Sequence, residues 1–410
     1  FEVPIVPVHS RESHGRASFR APVVLPPARA QPSPHTSMIE QTPLTVPPKQ
    51  IVSSGRSVFG KGIQASCSNP IVSCCEVTLS DSYTLANDIS DIDSCIDIQV
   101  DDVLIDCTGF TVEYNTGGGS TEEGIKSDTR NNVHLQNCKI ADGSANVGSD
   151  VLGIRMIATT SSSVDFNTIS TNGTSVNHGI GIFSSSSDIN VTSNVIDASG
   201  SDVNNDALHV QDSSNIAVLW NVLRANGTMV IDGISYETGT NSIFANNNIT
   251  ASSDDPTDLS GFPSNGILIA STATENEVSG NNISINGTGG NNLGVLVAAT
   301  STDNNISGNV ILTNATHNNY GVAIDSSNVN RVINNTIRTG ETSNSNIGIN
   351  LISTTQTNVT NNSVYTQGTF GDYGILVDSS PGALLDGNVV TTNGTAGNDN
   401  EGVYTNSLNT

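Results

Sequence analysis

Apolar residues recur along this chain at a long, nearly fixed interval rather than at the spacing of a helix face. NVTSNVIDASG at 190–200 has a valine, an asparagine three residues later and an isoleucine two residues after that. The same frame returns as AVLWNVLRANG, NEVSGNNISING, NNISGNVILTN and TNVTNNSVYTQ. Marked by its central asparagine, the unit falls at Asn167, Asn194, Asn221, Asn247, Asn281, Asn309, Asn335, Asn362 and Asn388, with Cys138 in the same slot one unit earlier. Successive steps are 29, 27, 27, 26, 34, 28, 26, 27 and 26 residues. The residue three before each mark is apolar throughout, from Leu135 and Val164 to Val359 and Leu385. So is the residue two after it, from Ile140 and Ile169 to Val364 and Val390. Such self-similarity predicts stacked units that share one continuous core.

A second frame precedes each mark and reads small, apolar, variable, apolar: GIRM at 153, GILI at 266, GVLV at 294, GVAI at 321, GINL at 348 and GILV at 374. Alternation over so few residues predicts short strands with one face in and one out. Each unit then holds about three strands, separated by turns rich in Asn, Gly, Ser and Thr. Residues 95–410 contain no helical periodicity built from good helix formers, which disfavours a leucine-rich repeat, and a propeller blade needs a period of roughly 40 residues or more. The pattern therefore predicts an all-β parallel solenoid of about eleven coils, about 50 Å long at the parallel-strand spacing. Identical asparagines stacked one per coil can bond to one another along the axis, so the nine marks read as a structural ladder.

At residues 95–112, CIDIQVDDVLIDCTGFTV, followed by GIKSDTRNNVHLQNCKI at 124–140, resembles the opening of right-handed parallel β-helix proteins of the pectin-lyase-like superfamily. The resemblance extends over roughly residues 75–410. That superfamily includes polysaccharide lyases and hydrolases, periplasmic NosD-like proteins, phage tailspikes and many surface proteins, and fold alone chooses none of them.

Composition divides the chain. Ten of the fourteen prolines fall before residue 50, so 1–62 reads as an extended arm or linker, 63–94 as a cysteine-containing cap and 95–410 as the β-helix. Charge divides in the same place: residues 1–62 hold seven Lys/Arg against three Asp/Glu, and the remainder hold seven against thirty-six. A body this acidic argues against nucleic acid as a partner. No apolar run is long enough to span a membrane. Six cysteines, Cys67, Cys74, Cys75, Cys95, Cys107 and Cys138, crowd one end. They suggest bridges and an oxidising compartment, extracellular or at the cell surface. Neighbouring coils bring strand residues within bridging distance, which favours Cys107 with Cys138.

Candidate chemistry sits on the outward column of the first strand, read as Lys126, Arg155, Phe183, His209, Ser235, then Leu268, Leu296, Ala323, Asn350 and Leu376. The first half is polar, with Asp206, Asp232, His178 and Tyr236 at the same or neighbouring positions. The resemblance implies a groove that handles uronate chains. There Asp206 and His209, with Asp232, would do acid–base work while Arg155 binds a sugar carboxylate. The catalytic series of polygalacturonases and alginate epimerases is nevertheless missing, NHGIG at 177–181 being a partial echo, and few aromatics offer platforms for sugars. No cofactor is expected, and the three methionines do not repeat by coil as copper ligands would. Calcium is the one metal the sequence suggests, at Asp254, Asp255 and Asp258 in the longest insertion.

The second half of the column is apolar on both faces, so the stripe Leu268, Leu296, Ala323 and Leu376 should be covered, by the arm or by another molecule. The final coil begins at Gly402 with no polar cap after it, which suggests self-association through this open coil and the arm. The leading expectation is a structural or adhesive surface protein that assembles into filaments or layers. The alternative is a carbohydrate-active enzyme or a tailspike-like glycan binder.

Overall fold

A computed structural model describes residues 64–406 apart from 144–147, 202–203, 229, 254–263, 288–290, 316–317, 341–344 and 395–399. The arm expected over 1–62 and the calcium loop with Asp254, Asp255 and Asp258 fall outside the described residues. No helix among the described residues is long and apolar enough to cross a membrane.

The chain winds through three sheets in turn, one strand to each per coil. The first sheet has 13 strands and the other two have 12 each. Neighbouring strands pair in parallel, so equivalent residues stand side by side: Ile154 beside Ile180, Val164 beside Val191, Ile169 beside Ile196. These are the apolar columns visible in the sequence, and together they line one continuous buried core. The segment 63–94, expected as a cap, already contributes strands Cys75–Val77, Ser82–Thr84 and Ile89–Ser90 to the same three sheets.

The small residue that opens each first strand is fixed by close approach. A Cβ on Gly294 would lie 2.2 Å from Cγ2 of Ile311 and 2.5 Å from the carbonyl oxygen of Gly321. The corner between the first and third sheets is therefore closed to larger side chains.

The nine asparagines form the expected ladder. Each Nδ2 donates to the Oδ1 of the next, from Asn167 to Asn388, at 2.9 to 3.1 Å. The residue before each one turns the chain between the second and third sheets in the left-handed region: Phe166, Ser193, Trp220, Asn246, Gly280, Gly308, Asn334, Asn361 and Gly387 all have positive φ. Asn and Gly suit that geometry; Phe and Trp do not. A second, shorter ladder runs through Asn276, Asn304 and Asn330, with Nδ2 to Oδ1 distances of 2.9 and 3.1 Å.

Three disulfides join the first coils: Cys67–Cys75, Cys74–Cys95 and Cys107–Cys138. Cys138 occupies the ladder slot, and its backbone N–H donates to Oδ1 of Asn167 at 2.9 Å. The hydrogen-bonded column thus continues into a covalent link toward the preceding coil.

Candidate functional site

The outward column of the first sheet runs Lys126, Arg155, Gly181, His209, Ser235, Leu268, Leu296, Ala323, Asn350 and Leu376. Gly181, not Phe183, takes the third place; Phe183 pairs with Ile157 two residues further on. Its ring folds back over the glycine, so a Cβ on Gly181 would meet ring carbon Cε2 at 2.4 Å. Tyr236 also departs from the reading. It faces the core, and its hydroxyl donates to the carbonyl of Ser213 at 2.9 Å while accepting from Ser242 at 3.0 Å. Burial pushes its pKa up to about 12.

Arg155 spans two carboxylates, Nη1 lying 2.6 Å from Glu123 and Nη2 2.6 Å from Asp128. Burial by itself favours the neutral guanidine, but these two negative neighbours win and raise its pKa. Lys126 pairs in the same way with Asp97 at 2.7 Å. The cations of this face are thus neutralised by its own acids, and Arg155 is already engaged where a sugar carboxylate was expected to bind.

Beside this pair network, His178 and Asp206 are register partners on adjacent strands His178–Phe183 and Asp206–Gln211. The pairing passes over Gly179 and Ala207 at the tight corner, so Asp206 and His209 reach one site although three residues apart. Oδ2 of Asp206 lies 3.0 Å from Nδ1 of His209 and 3.5 Å from Nδ1 of His178, and the two imidazoles stack with centroids 4.6 Å apart. The Phe183 ring flanks His209 at 5.5 Å. Asp206 is 0% exposed and each histidine 5%. Asp232, the fourth candidate, belongs to the scaffold. Its N–H donates to Oδ1 of Asp206 at 3.2 Å, and its own Oδ1 accepts from Nδ2 of Asn265 at 2.8 Å.

The apolar half of the column is buried. Leu268, Leu296, Ala323 and Leu376 join Leu293, Tyr320 and Ile347 in a second buried cluster, separate from the core.

Two residues that the repeat pattern hid are exposed. Phe166 and Trp220 are 63% and 60% accessible. They occupy equivalent corners with Ser193 between them, because Asp165, Thr192 and Leu219 are register partners. The signal was present: both aromatics stand in the slot before a ladder asparagine, where the other units carry Ser, Asn or Gly. Their identical backbone conformation sends both side chains the same way, about 9.6 Å apart over two coil steps.

The model of the right handed beta helix region matches residues 100–283. No curated protein matches the sequence. Among solved structures, the Dettilon tailspike protein aligns over 77% of this chain at 13% identity and TM-score 0.51; the chain spans 60% of the tailspike's own length. The mannuronan C-5 epimerase A-module of Azotobacter vinelandii aligns over 81% of this chain and 90% of its own, at 14% identity and TM-score 0.41. A periplasmic alginate epimerase follows at 12% identity and TM-score 0.37, over 75% of this chain and 76% of its own. At such identities the likeness concerns the fold. The parallel coils and the three sheets, with the matched segment, give this chain the right-handed parallel β-helix fold.

Proposed function

We propose that the protein is an extracellular or cell-surface adhesive β-helix that holds an extended polysaccharide on its Phe166–Trp220 ledge. The observation that carries this reading is the exposure of two aromatic side chains at equivalent, backbone-strained corners of the solenoid. A left-handed conformation costs a bulky residue about 1 kcal/mol or more, and water contact adds no compensating burial. Retention of Phe and Trp where Asn or Gly would relieve the strain points to use of their faces. Aromatic rings in a row, fixed to a rigid scaffold, suit the apolar faces of sugar rings along a chain. Three disulfides fit the oxidising surroundings in which such a surface works.

The enzymatic alternative is weaker on geometry. Asp206 and Asp232 are fully buried, and Arg155 is committed to Glu123 and Asp128.

Trp220 is the single tryptophan of the chain, so its fluorescence reports on the ledge directly. Titration of the full chain with alginate, polygalacturonate and neutral glucans should shift its emission with at least one of them. Phe166→Ala should weaken that binding about tenfold, in keeping with the loss of one stacking contact. Unchanged emission and no retardation in affinity electrophoresis with all three polymer classes would rule the reading out. Cleavage of a uronan by the wild type, lost in His209→Ala with the fold intact, would favour the enzyme instead.

A further inference from the structure

We propose that His178, Asp206 and His209 bind one divalent transition-metal cation of the zinc class. The donor set is two imidazoles and one carboxylate, a combination that suits zinc and its neighbours rather than calcium, which takes oxygen ligands. The three donor atoms lie within 4.8 Å of one another. With metal–ligand bonds of about 2.0–2.1 Å, a tetrahedral centre sets its donors roughly 3.3 Å apart. Asp206 Oδ2 lies 3.0 Å from one Nδ1 and 3.5 Å from the other, on either side of that spacing. The rings stack with their planes 14° apart, so binding one cation requires them to rotate until both Nδ1 lone pairs converge on it.

The surroundings hold the ligands in place. The backbone N–H of Asp232 occupies Oδ1 of Asp206, which leaves Oδ2 to face the imidazoles. Asn265 fixes Asp232 in turn, through Nδ2 at 2.8 Å. Such outer hydrogen bonds orient a ligating carboxylate. The Phe183 ring forms an apolar wall beside His209. Without a cation, one carboxylate oxygen serves two stacked imidazoles in a largely buried site. A bound cation would take up the lone pairs of both rings and the charge of the carboxylate together. Three protein ligands leave a fourth position for water.

His178 belongs to one coil while Asp206 and His209 belong to the next, so the metal would cross-link neighbouring coils beyond the disulfide-bonded end. Binding to the folded chain alone would then raise its stability.

The test is calorimetric titration of the full chain, stripped with EDTA, with zinc chloride. One equivalent should bind and raise Tm, and His178→Gln and His209→Gln should each weaken binding at least tenfold and remove the rise in Tm. Cobalt(II) on the wild type supplies a readout independent of any variant's folding, as four-coordinate nitrogen–oxygen ligation gives visible d–d absorption. No bound zinc and no such band would overturn the proposal. Binding that both glutamine variants retain would also overturn it.

Discussion

The side-chain amide of Asn221 donates to Oδ1 of Asn247 at 3.1 Å and to the carbonyl of Val191 at 2.8 Å. Its own Oδ1 accepts the backbone N–H of Asn194 at 2.8 Å and that residue's Nδ2 at 3.0 Å. One side chain thus satisfies four buried polar groups, and it is 1% exposed. Asn221→Ala removes the side-chain partner of the Asn194 N–H and of the Val191 carbonyl, while Oδ1 of Asn247 keeps the Asn221 backbone N–H and Nδ2 of Asn194 keeps the Val164 carbonyl. At about 1–3 kcal/mol per stranded group, a net loss of about 2 kcal/mol or more is expected. Asn221→Asp keeps the acceptor but removes both donors and buries a charge, and at neutral pH it should lose more than the alanine variant. Urea midpoints of the two variants against wild type check the order.

Gly294→Ala tests the closed corner. The new methyl would overlap both Ile311 and the carbonyl of Gly321, and accommodating it should cost about 1–3 kcal/mol. The chain carries Ala207 at the equivalent position two coils after Gly153, so Ala207→Gly measures the same corner where a methyl group is already accommodated. Thermal unfolding should show a clear drop in Tm for the first substitution and less than half that drop for the second.

Alkaline pH should destabilise the fold through its buried phenols. Burial pushes both Tyr236 and Tyr320 up to about 12, against an ordinary value of 10.0. Between these values the unfolded chain loses the phenolic protons while the folded chain keeps them. Stability present below pH 10 is therefore lost as pH rises toward 12, by at most about 1.4 kcal/mol per pH unit for each tyrosine. Replacing both with Phe should flatten a plot of the urea midpoint against pH across that window, although Tyr236→Phe lowers the whole curve by stranding the Ser213 carbonyl. An equally steep decline in the double variant would point to other groups.

Cys107 and Cys138 are 31 residues apart in sequence. Cross-linking a loop of that length stabilises by about 3–4 kcal/mol in the chain-entropy account. Cys107→Ser with Cys138→Ser should lower the midpoint accordingly. The strands next to the bridge, Val103–Asp106 and Val133–Gln136, should lose amide protection before the central coils do. Hydrogen exchange resolved along the chain distinguishes this from uniform loosening.

The repeat made the scaffold legible because each coil poses the same steric problem. Val191, Asn194 and Ile196 recur since every coil must fill the same core and pass the same corner. The site was less legible because alternation fails at that corner. Passing over Gly179 and Ala207 changes which neighbours face outward, placing Gly181 in the column and gathering Asp206 with His209. Residue type alone also hid commitment: Arg155 reads as a free cation until Glu123 and Asp128 stand beside it. Asn276, Asn304 and Asn330 were lost among the many asparagines of the turns, since only their shared register marks them as a ladder.

The ladder gives the rod a direction. Every amide gives one hydrogen to the oxygen of the asparagine that follows and opens its own oxygen toward the coil that precedes, the other hydrogen going to a carbonyl of the preceding coil, so the amide-to-amide bonds of the column all run the same way. A coil in the middle is held from both sides, whereas one at an end is held from one. Under tension along the axis the solenoid should come apart in steps of one coil, each releasing some 26 to 34 residues of chain, and the bridged coils near Cys107 should be among the last to yield.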